Sequence, residues 1–381
     1  MIRVAFKILL HDTAKYLALV MGIAFATLLI SQQSAIFHSV MESSTRDIIE
    51  ANEADIWVMK PSVETVDQPD QMAELTVNRV RSTPGVEWAV PYYQAIAQLR
   101  TADGRTKSVT LIGVDDSSLV AAPHTILLGS LDDLRRPDAI ILDAAGFAAI
   151  FPDARPRTGD VVEIGQRRAE IVGISHTGPS WTGLPRVHTR RSLAVEYARE
   201  TLNPVTYVLA RASTGQSPDA VATEISRATG LQAHSRSGFK AKTQEWVLNF
   251  SGVAENFGIT ILMGVVIGVA IVGQTFYMFS VENLRQFAAI KAIGVSYTRI
   301  LGMISTQALF VSCVGYCLGI GVASLFFALF SPQLTGGLRG MFMDPAIFIG
   351  TGIFIVLVTL LSCVISVRRV LTVDPAVVFR S

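Results

Sequence analysis

The chain has 381 residues and a formal charge of +1; half of its residues are apolar, 17% are charged, and the mean hydropathy is +0.43. So even a charge balance offers no footing for nucleic acid, and so apolar a composition excludes an intrinsically disordered chain. The three cysteines, Cys313, Cys317 and Cys363, all lie in apolar runs near the C-terminus, which leaves the polar middle without a disulfide framework.

Residues 1–15 set Arg3 and Lys7 against Ile2, Phe6, Leu9 and Leu10, the pattern of a short helix lying on a membrane surface. Crossing a bilayer takes about 20 nearly uncharged residues, and the first such window is 16–37. Ala24-Phe25-Ala26 imitates a signal-peptide cleavage site, but the apolar stretch is longer than a signal core and His11 and Asp12 precede it. Residues 39–52 are expected to continue this helix outward.

The segment 38–256 is predicted as an extracytoplasmic α+β domain. Its first part has a strand at 56–59, a helix at 72–81 ending before Pro84-Gly85, and strands at 86–100 and 108–114 joined through the turn signal Asp103-Gly104. A second part of the same kind has a strand at 206–210, a helix at 218–229 stopped by Gly230, and a strand at 231–234. The insert between them, about 119–202, is expected to form a second lobe of short strands and brief helices. Residues 243–255 are predicted helical, with Trp246, Phe250 and Val253 on one apolar face. The two helical connections either transmit motion or fill space above the bilayer, and spacing alone does not choose.

Three more spans are predicted at 257–281, 300–330 and 346–367, with a short loop at 331–345 and a tail at 368–381. Lys and Arg in short flanks stay cytoplasmic. Arg3, Lys7 and Lys15, then Arg285, Lys291 and Arg299, then Arg368, Arg369 and Arg380 mark three cytoplasmic flanks. Both termini are therefore expected inside, and 38–256 and 331–345 outside. The predicted fold class is an α+β membrane protein with four transmembrane helices and a large α+β domain between the first and second.

No catalytic constellation emerges. Gly178-Pro179-Ser180-Trp181-Thr182-Gly183 misses a nucleophile elbow by one position and lies in a Gly/Pro loop. His124, His176, His188 and His234 lack metal-ligand spacing, so no metal site is expected. Cys313 and Cys317, four apart on a span, read as packing residues. No phosphate-cradling Gly-x-x-x-x-Gly-Lys-Ser/Thr is present, so any ATP that drives the chain is bound by another one. Gln32, Gln33, Gln274 and Gln307 are polar but uncharged within the spans, which argues against an ion pathway built from intramembrane carboxylates. Gly264 with Gly268, and Gly315 with Gly319, permit close helix approach, either within one chain or between two. Trp181 and Leu184 form an apolar pair in a loop, readable as an adaptor or substrate contact or as a loop folded back on its own domain.

The most informative segment is 282–296, where Leu284, Phe287, Ala288 and Lys291 recur at helical spacing and Gly294 is placed to end the helix. It reads equally as an interfacial helix and as a docking helix for a partner. The run Glu282 to Gly294, a Glu and Arg followed by an aromatic-Ala pair and Lys-Ala-x-Gly, resembles the signature that follows the second span in FtsX-like (MacB-type) permeases of ABC transporters. The tail from Arg368-Arg369 to Asp374-Pro375-Ala376-Val377-Val378-Phe379-Arg380 resembles the C-terminal pattern of that family. Gly22-Ile23-Ala24-Phe25-Ala26 and Gln307-Ala308-Leu309 look most like its DevC-type branch. Gln286 departs from the family, where many relatives carry Glu, and the insert matches more loosely.

The resemblance implies a MacB-like periplasmic core domain and a bacterial inner-membrane location. It implies a non-catalytic subunit, one of a pair of identical or paralogous permeases, that presents Glu282, Arg285, Phe287, Lys291 and Gly294 to a cytoplasmic ABC ATPase. That partner, not this chain, would bind ATP and Mg. It further implies mechanotransmission to the outer domain and export of a hydrophobic or amphiphilic substrate through a periplasmic adaptor and an outer-membrane channel. Lipoprotein release and activation of a cell-wall hydrolase are the alternatives within the same architecture.

Overall fold

The computed structural model describes residues 13–177, 182–199, 204–282, 295–330 and 343–371. The chain divides into a unit holding the apolar helices and an α+β unit over residues 39–252.

Helix α1 spans Thr13–Ser43 and is followed by the short α2, Arg46–Glu50. The continuous helix expected over 39–52 is thus broken at Ser44-Thr45. The hydroxyls of Ser43, Ser44 and Thr45 donate to the carbonyls of Val40, Met41 and Glu42 at 3.0, 2.8 and 3.3 Å. Three successive side chains competing for the last turn's acceptors end the helix.

In the α+β unit the elements run β1 (Ile56–Met59), α3 (Leu75–Arg81), β2 (Val86–Thr101), β3 (Thr106–Val114), β4 (Ile126–Leu128), β5 (Ala139–Asp143) and α4 (Ala144–Ile150). They continue through β6 (Val161–Ile164), β7 (Arg167–Ser175), β8 (Arg186–Arg190), α5 (Arg191–Ala198), β9 (Tyr207–Ala212), α6 (Pro218–Thr229), β10 (Gln232–Ser235) and α7 (Arg236–Phe250). The strand order is β10-β1-β9-β2-β3-β8-β5-β7-β4, with β6 pairing β2 and β7. Helix α6 ends at Gly230 in the left-handed conformation, φ 71°, as its sequence predicts.

All four residues of β1 are buried because both faces of the sheet are covered. Ile56 and Val58 face a core shared with Val77 and Val80 of α3 and Val221 and Ile225 of α6. Trp57 and Met59 face the opposite core, with Tyr92, Tyr207, Ile48 and Phe239. Trp57 meets Tyr207 at 5.2 Å and Tyr92 at 5.6 Å between ring centroids, both edge-on, the arrangement aromatic pairs favour.

Strand β2 belongs to two sheets at once. Its first half pairs antiparallel with β9, Tyr92 opposite Tyr207, and its second half pairs antiparallel with β3, Tyr93 opposite Gly113. The strands of segment 119–202 build onto this second half. Strand β8 runs parallel to β3 with Arg186 opposite Thr110, and β6 pairs with β2. The lobe they form therefore also takes in residues 93–114, because the transition between the two sheets falls inside one strand and no loop marks it. Phe147, Ile150, Val187 and Tyr197 fill its core.

Helix α7 also departs from expectation. Its buried row is Phe239, Thr243 and Val247, at i, i+4 and i+8, whereas Phe250 is 73% exposed and Trp246 half-buried. The helix stops at Ser251-Gly252, with Gly252 at φ 71°. The predicted face through Trp246, Phe250 and Val253 is interrupted there.

Helices α8 (Val253–Glu282), α9 (Tyr297–Phe330) and α10 (Pro345–Leu371) complete the membrane unit. With α1 they are four helices long and apolar enough to cross a membrane. Leu19, Val20, Ile23, Ala26 and Ile30 of α1 pack against Val272 of α8, Ile304, Ala308 and Val311 of α9, and Ile355 and Cys363 of α10. In its most apolar window α1 is 56% buried within the chain, against 17% for α8 and 28% each for α9 and α10, so α1 is the inner helix of the bundle. Cys363 packs in that core, whereas Cys313 and Cys317 are exposed on α9 among the described residues.

Candidate functional site

The residues expected to meet a partner ATPase fall mostly outside the described chain. Glu282 is the exposed last residue of α8, while Arg285, Phe287, Lys291 and Gly294 lie beyond the described residues. Trp181 does as well; Leu184 is half-buried beside the buried Pro185.

The small-residue pairs face α1. A methyl group built on Gly268 would stand 2.8 Å from the Cβ of Ala26, and one on Gly264 would stand 3.3 Å from Ile30. On α9, Gly315 is turned to Ile23, at 2.7 Å from such a methyl group, and Gly319 to the Ala24 carbonyl and to Thr27. Both pairs let backbones approach inside one chain.

The best-defined polar site is in the α+β unit, and it rests on a residue that the sequence analysis did not single out. Arg186 begins β8 between Pro185 and Val187. Alternation sends Val187 into the apolar core and leaves Arg186 and His188 on the other face. Arg186 is among the largest fully buried side chains. Its guanidinium pairs with Asp47 at 2.6 Å and with Glu50 at 3.4 Å, carboxylates one helical turn apart on α2. The Asp47 and Arg186 side chains are only 3% and 2% exposed. The Asp143 carboxylate accepts from the Arg186 backbone N–H at 2.7 Å and from the Gly146 N–H at 2.8 Å, capping α4 in the same contact.

Burial pulls the Arg186 guanidinium down, but Asp47, Glu50 and Asp143 outweigh it and hold the group above its ordinary value. Burial, with Arg186 adding to it, drives His188 down to about 3, so its imidazole is neutral. Burial and the Asp47 charge push Asp67 from 3.8 up to about 7, with Arg186 acting against them. Among the described residues no hydrogen bond or ion pair reaches the Asp67 side chain. Arg186 is already engaged by Asp47, which leaves Asp67 as the group here that changes charge near neutrality.

Asp67 also lines a cavity of about 470 Å³. Its polar wall includes Ser44, Thr65 and Gln68, and α7 supplies Thr243, Trp246, Val247 and Phe250. The rings of Trp246 and Phe250 stack with centroids 6.5 Å apart. Thr182, next in the chain to Trp181, also lines it. Among the described residues no cluster of three His, Cys, Asp or Glu side chains could hold a metal ion.

The raised Asp67 value carries a stability consequence. The folded domain holds a proton there more tightly than the unfolded chain. Its stabilising effect is complete below pH 3.8 and is lost as pH rises to about 7. His188 acts in the opposite sense, withdrawing stability as pH falls from 6.5 toward 3. Asp67→Asn is therefore expected to be more stable than the parent at pH 8, with the gain fading toward pH 4. Thermal midpoints at pH 5 and pH 8 check this, and an equal difference at both would refute it.

Two family descriptions match the chain. The MacB-like periplasmic core domain covers residues 16–228, more than half of the chain, and the FtsX-like permease C-terminal region covers 258–375. An uncharacterized ABC transporter permease of Mycobacterium tuberculosis is 24% identical over 340 residues, 88% of this chain and 86% of the relative. One of Mycobacterium bovis is 25% identical over 308 residues, 81% and 78% of the two chains. Among solved structures, the periplasmic region of MacB from Actinobacillus actinomycetemcomitans aligns at TM-score 0.39 and 12% identity, covering 51% of this chain and 94% of that one. The extracellular domain of the noncanonic ABC-type transporter YknZ from Gram-positive bacteria aligns at 0.37 and 16%, covering 48% and 98%. With the two family matches following one another along nearly its whole length, the chain belongs to the FtsX-like, MacB-type permeases of ABC transporters.

Proposed function

We propose that this permease is driven by a separate cytoplasmic ATPase and exports or extracts a hydrophobic or amphiphilic substrate by mechanotransmission. The observation that carries the reading is the permease match over 258–375, which contains the segment between α8 and α9 as well as the last three spans. Glu282, Arg285, Phe287, Lys291 and Gly294 form the ATPase contact, with both termini on the ATPase side and the α+β domain opposite. Two permease subunits, identical or paralogous, make the working unit, and a periplasmic adaptor with an outer-membrane channel receives the cargo. Arg285 and Lys291, between α8 and α9 in the chain, and Arg299, in the first turn of α9, are the cations that the positive-inside rule retains in the cytoplasm, and they support this orientation.

Affinity purification of the tagged chain from membranes is expected to retain an ATPase and an adaptor. A second permease without an adaptor would redirect the reading to lipoprotein release, and a cell-wall hydrolase to regulation. Substituting Lys291 or Gly294 is expected to reduce transport-coupled ATP hydrolysis about tenfold, a coupling of about 1.4 kcal/mol, with membrane insertion unchanged. Unaltered transport in both variants would remove the proposed contact.

A further inference from the structure

We propose that the cavity beside α7 is a binding site for an organic cation with an apolar body, such as an aromatic or aliphatic ammonium. The cavity of about 470 Å³ lies in the range of small-molecule sites and has room for several waters or one compact organic ligand. Among the described residues lining it Asp67 alone carries a charge, so the field inside it is that of a carboxylate. The lining also includes Val247 and the stacked Trp246 and Phe250, Phe250 being 73% exposed. A carboxylate and ring π-systems in one cavity both attract a cation, and the rings and Val247 reward one that brings hydrocarbon with it. A bare inorganic cation would leave that wall unused, and an anion would meet Asp67.

Two further observations point to an absent ligand. The Asp67 carboxyl has no hydrogen bond or ion pair among the described residues although it is largely withdrawn from water, and burial together with the Asp47 charge raises it to about 7. The Thr243 hydroxyl, on the same cavity wall, is buried without a partner. A bound cation supplies the missing counter-charge for Asp67. The site stands whether or not the chain moves a cargo.

The test uses the full-length protein in zwitterionic lipid nanodiscs, with empty nanodiscs subtracted. Benzyltrimethylammonium is the probe, benzenesulfonate the anionic comparator and benzyl alcohol the neutral one. Calorimetry is expected to show saturable binding of the ammonium, weakened about tenfold or more by Asp67→Asn and by Trp246→Leu. The charged groups around Asp67 are Asp47 and Arg186, held to each other, and the Lys242–Glu64 pair beside Thr243; the Tyr92 and Tyr207 phenols are neutral. Burial and the Asp47 charge put Asp67 at about 7, so binding is expected to tighten between pH 6 and pH 8 in the parent and to stay flat in Asp67→Asn. Absence of saturable binding, equal binding of benzenesulfonate or benzyl alcohol, or undiminished binding in both variants would overturn the proposal. The comparison of the three probes on the unaltered protein decides the matter even if a variant folds poorly.

Discussion

Replacing Arg186 by methionine is expected to destabilise the α+β domain by about 3–5 kcal/mol, because it leaves buried carboxylates without their counter-charge. Asp47 is bonded to Arg186 at 2.6 Å with both side chains almost wholly withdrawn from water, and Glu50 stands at 3.4 Å. Once a charge is buried, the partner that compensates it is worth far more than the same pair at the surface. The loss is expected as a drop of about 10 °C in the thermal midpoint of the domain. Adding Asp47→Leu to Arg186→Met is expected to recover most of it, since an apolar pair of similar bulk escapes the desolvation cost. A single-variant effect below about 1 kcal/mol would show that water reaches the site and that Arg186 is no brace. Asp47 and Glu50 sit on α2 and Arg186 on β8, between β3 and β5, so the ion pair ties two elements of the α+β unit that are far apart in sequence.

The second large effect belongs to the bundle. Gly319→Ala is expected to destabilise the helix packing by about 1–3 kcal/mol, and Gly319→Val by more, whereas Gly321→Ala on the same helix is expected to be neutral or slightly stabilising. A Cβ on Gly319 would press on the Ala24 carbonyl oxygen and stand 2.6 Å from Thr27, while nothing lies within 4 Å of the same position at Gly321. Backbone cannot step aside as a side chain can, so α9 would have to move away from α1 and forfeit contacts along the core through Ile304, Ala308 and Val311. Gly315→Ala, aimed at Ile23, is expected to fall between the two. Unfolding in graded sodium dodecyl sulfate would measure all of these, and identical behaviour of the 319 and 321 variants would refute the assignment of Gly319 to the α1 contact.

Local chemistry accounts for the elements that were legible beforehand. Charge-free windows at 16–37, 257–281, 300–330 and 346–367 coincide with α1, α8, α9 and α10, because about 20 apolar residues in succession have few ways to hide their backbone in lipid other than as a helix. Helix α6 was legible to its last residue, since Pro218 opens it and Gly230 closes it. The α2 break was harder to see. Nothing in Ser43-Ser44-Thr45 forbids a helix, and the outcome depends on which carbonyls those hydroxyls find.

The functional site divides in the same way. Hydropathy, flanking charge and the segment 282–294 identify a permease without any coordinates, because each depends on residues close together in the chain. Arg186, Asp47, Asp67 and Trp246 lie up to 199 positions apart, and no local pattern connects them. A buried arginine has the same neighbours in sequence as an exposed one. Its burial, the ionisation of Asp67 near neutrality and the cavity that Asp67 shares with Trp246 and Phe250 arise when β8, α2 and α7 meet on one face of the sheet. Long-range packing removes water from these groups, and without water a charge must find a partner, shift its proton equilibrium or receive a ligand.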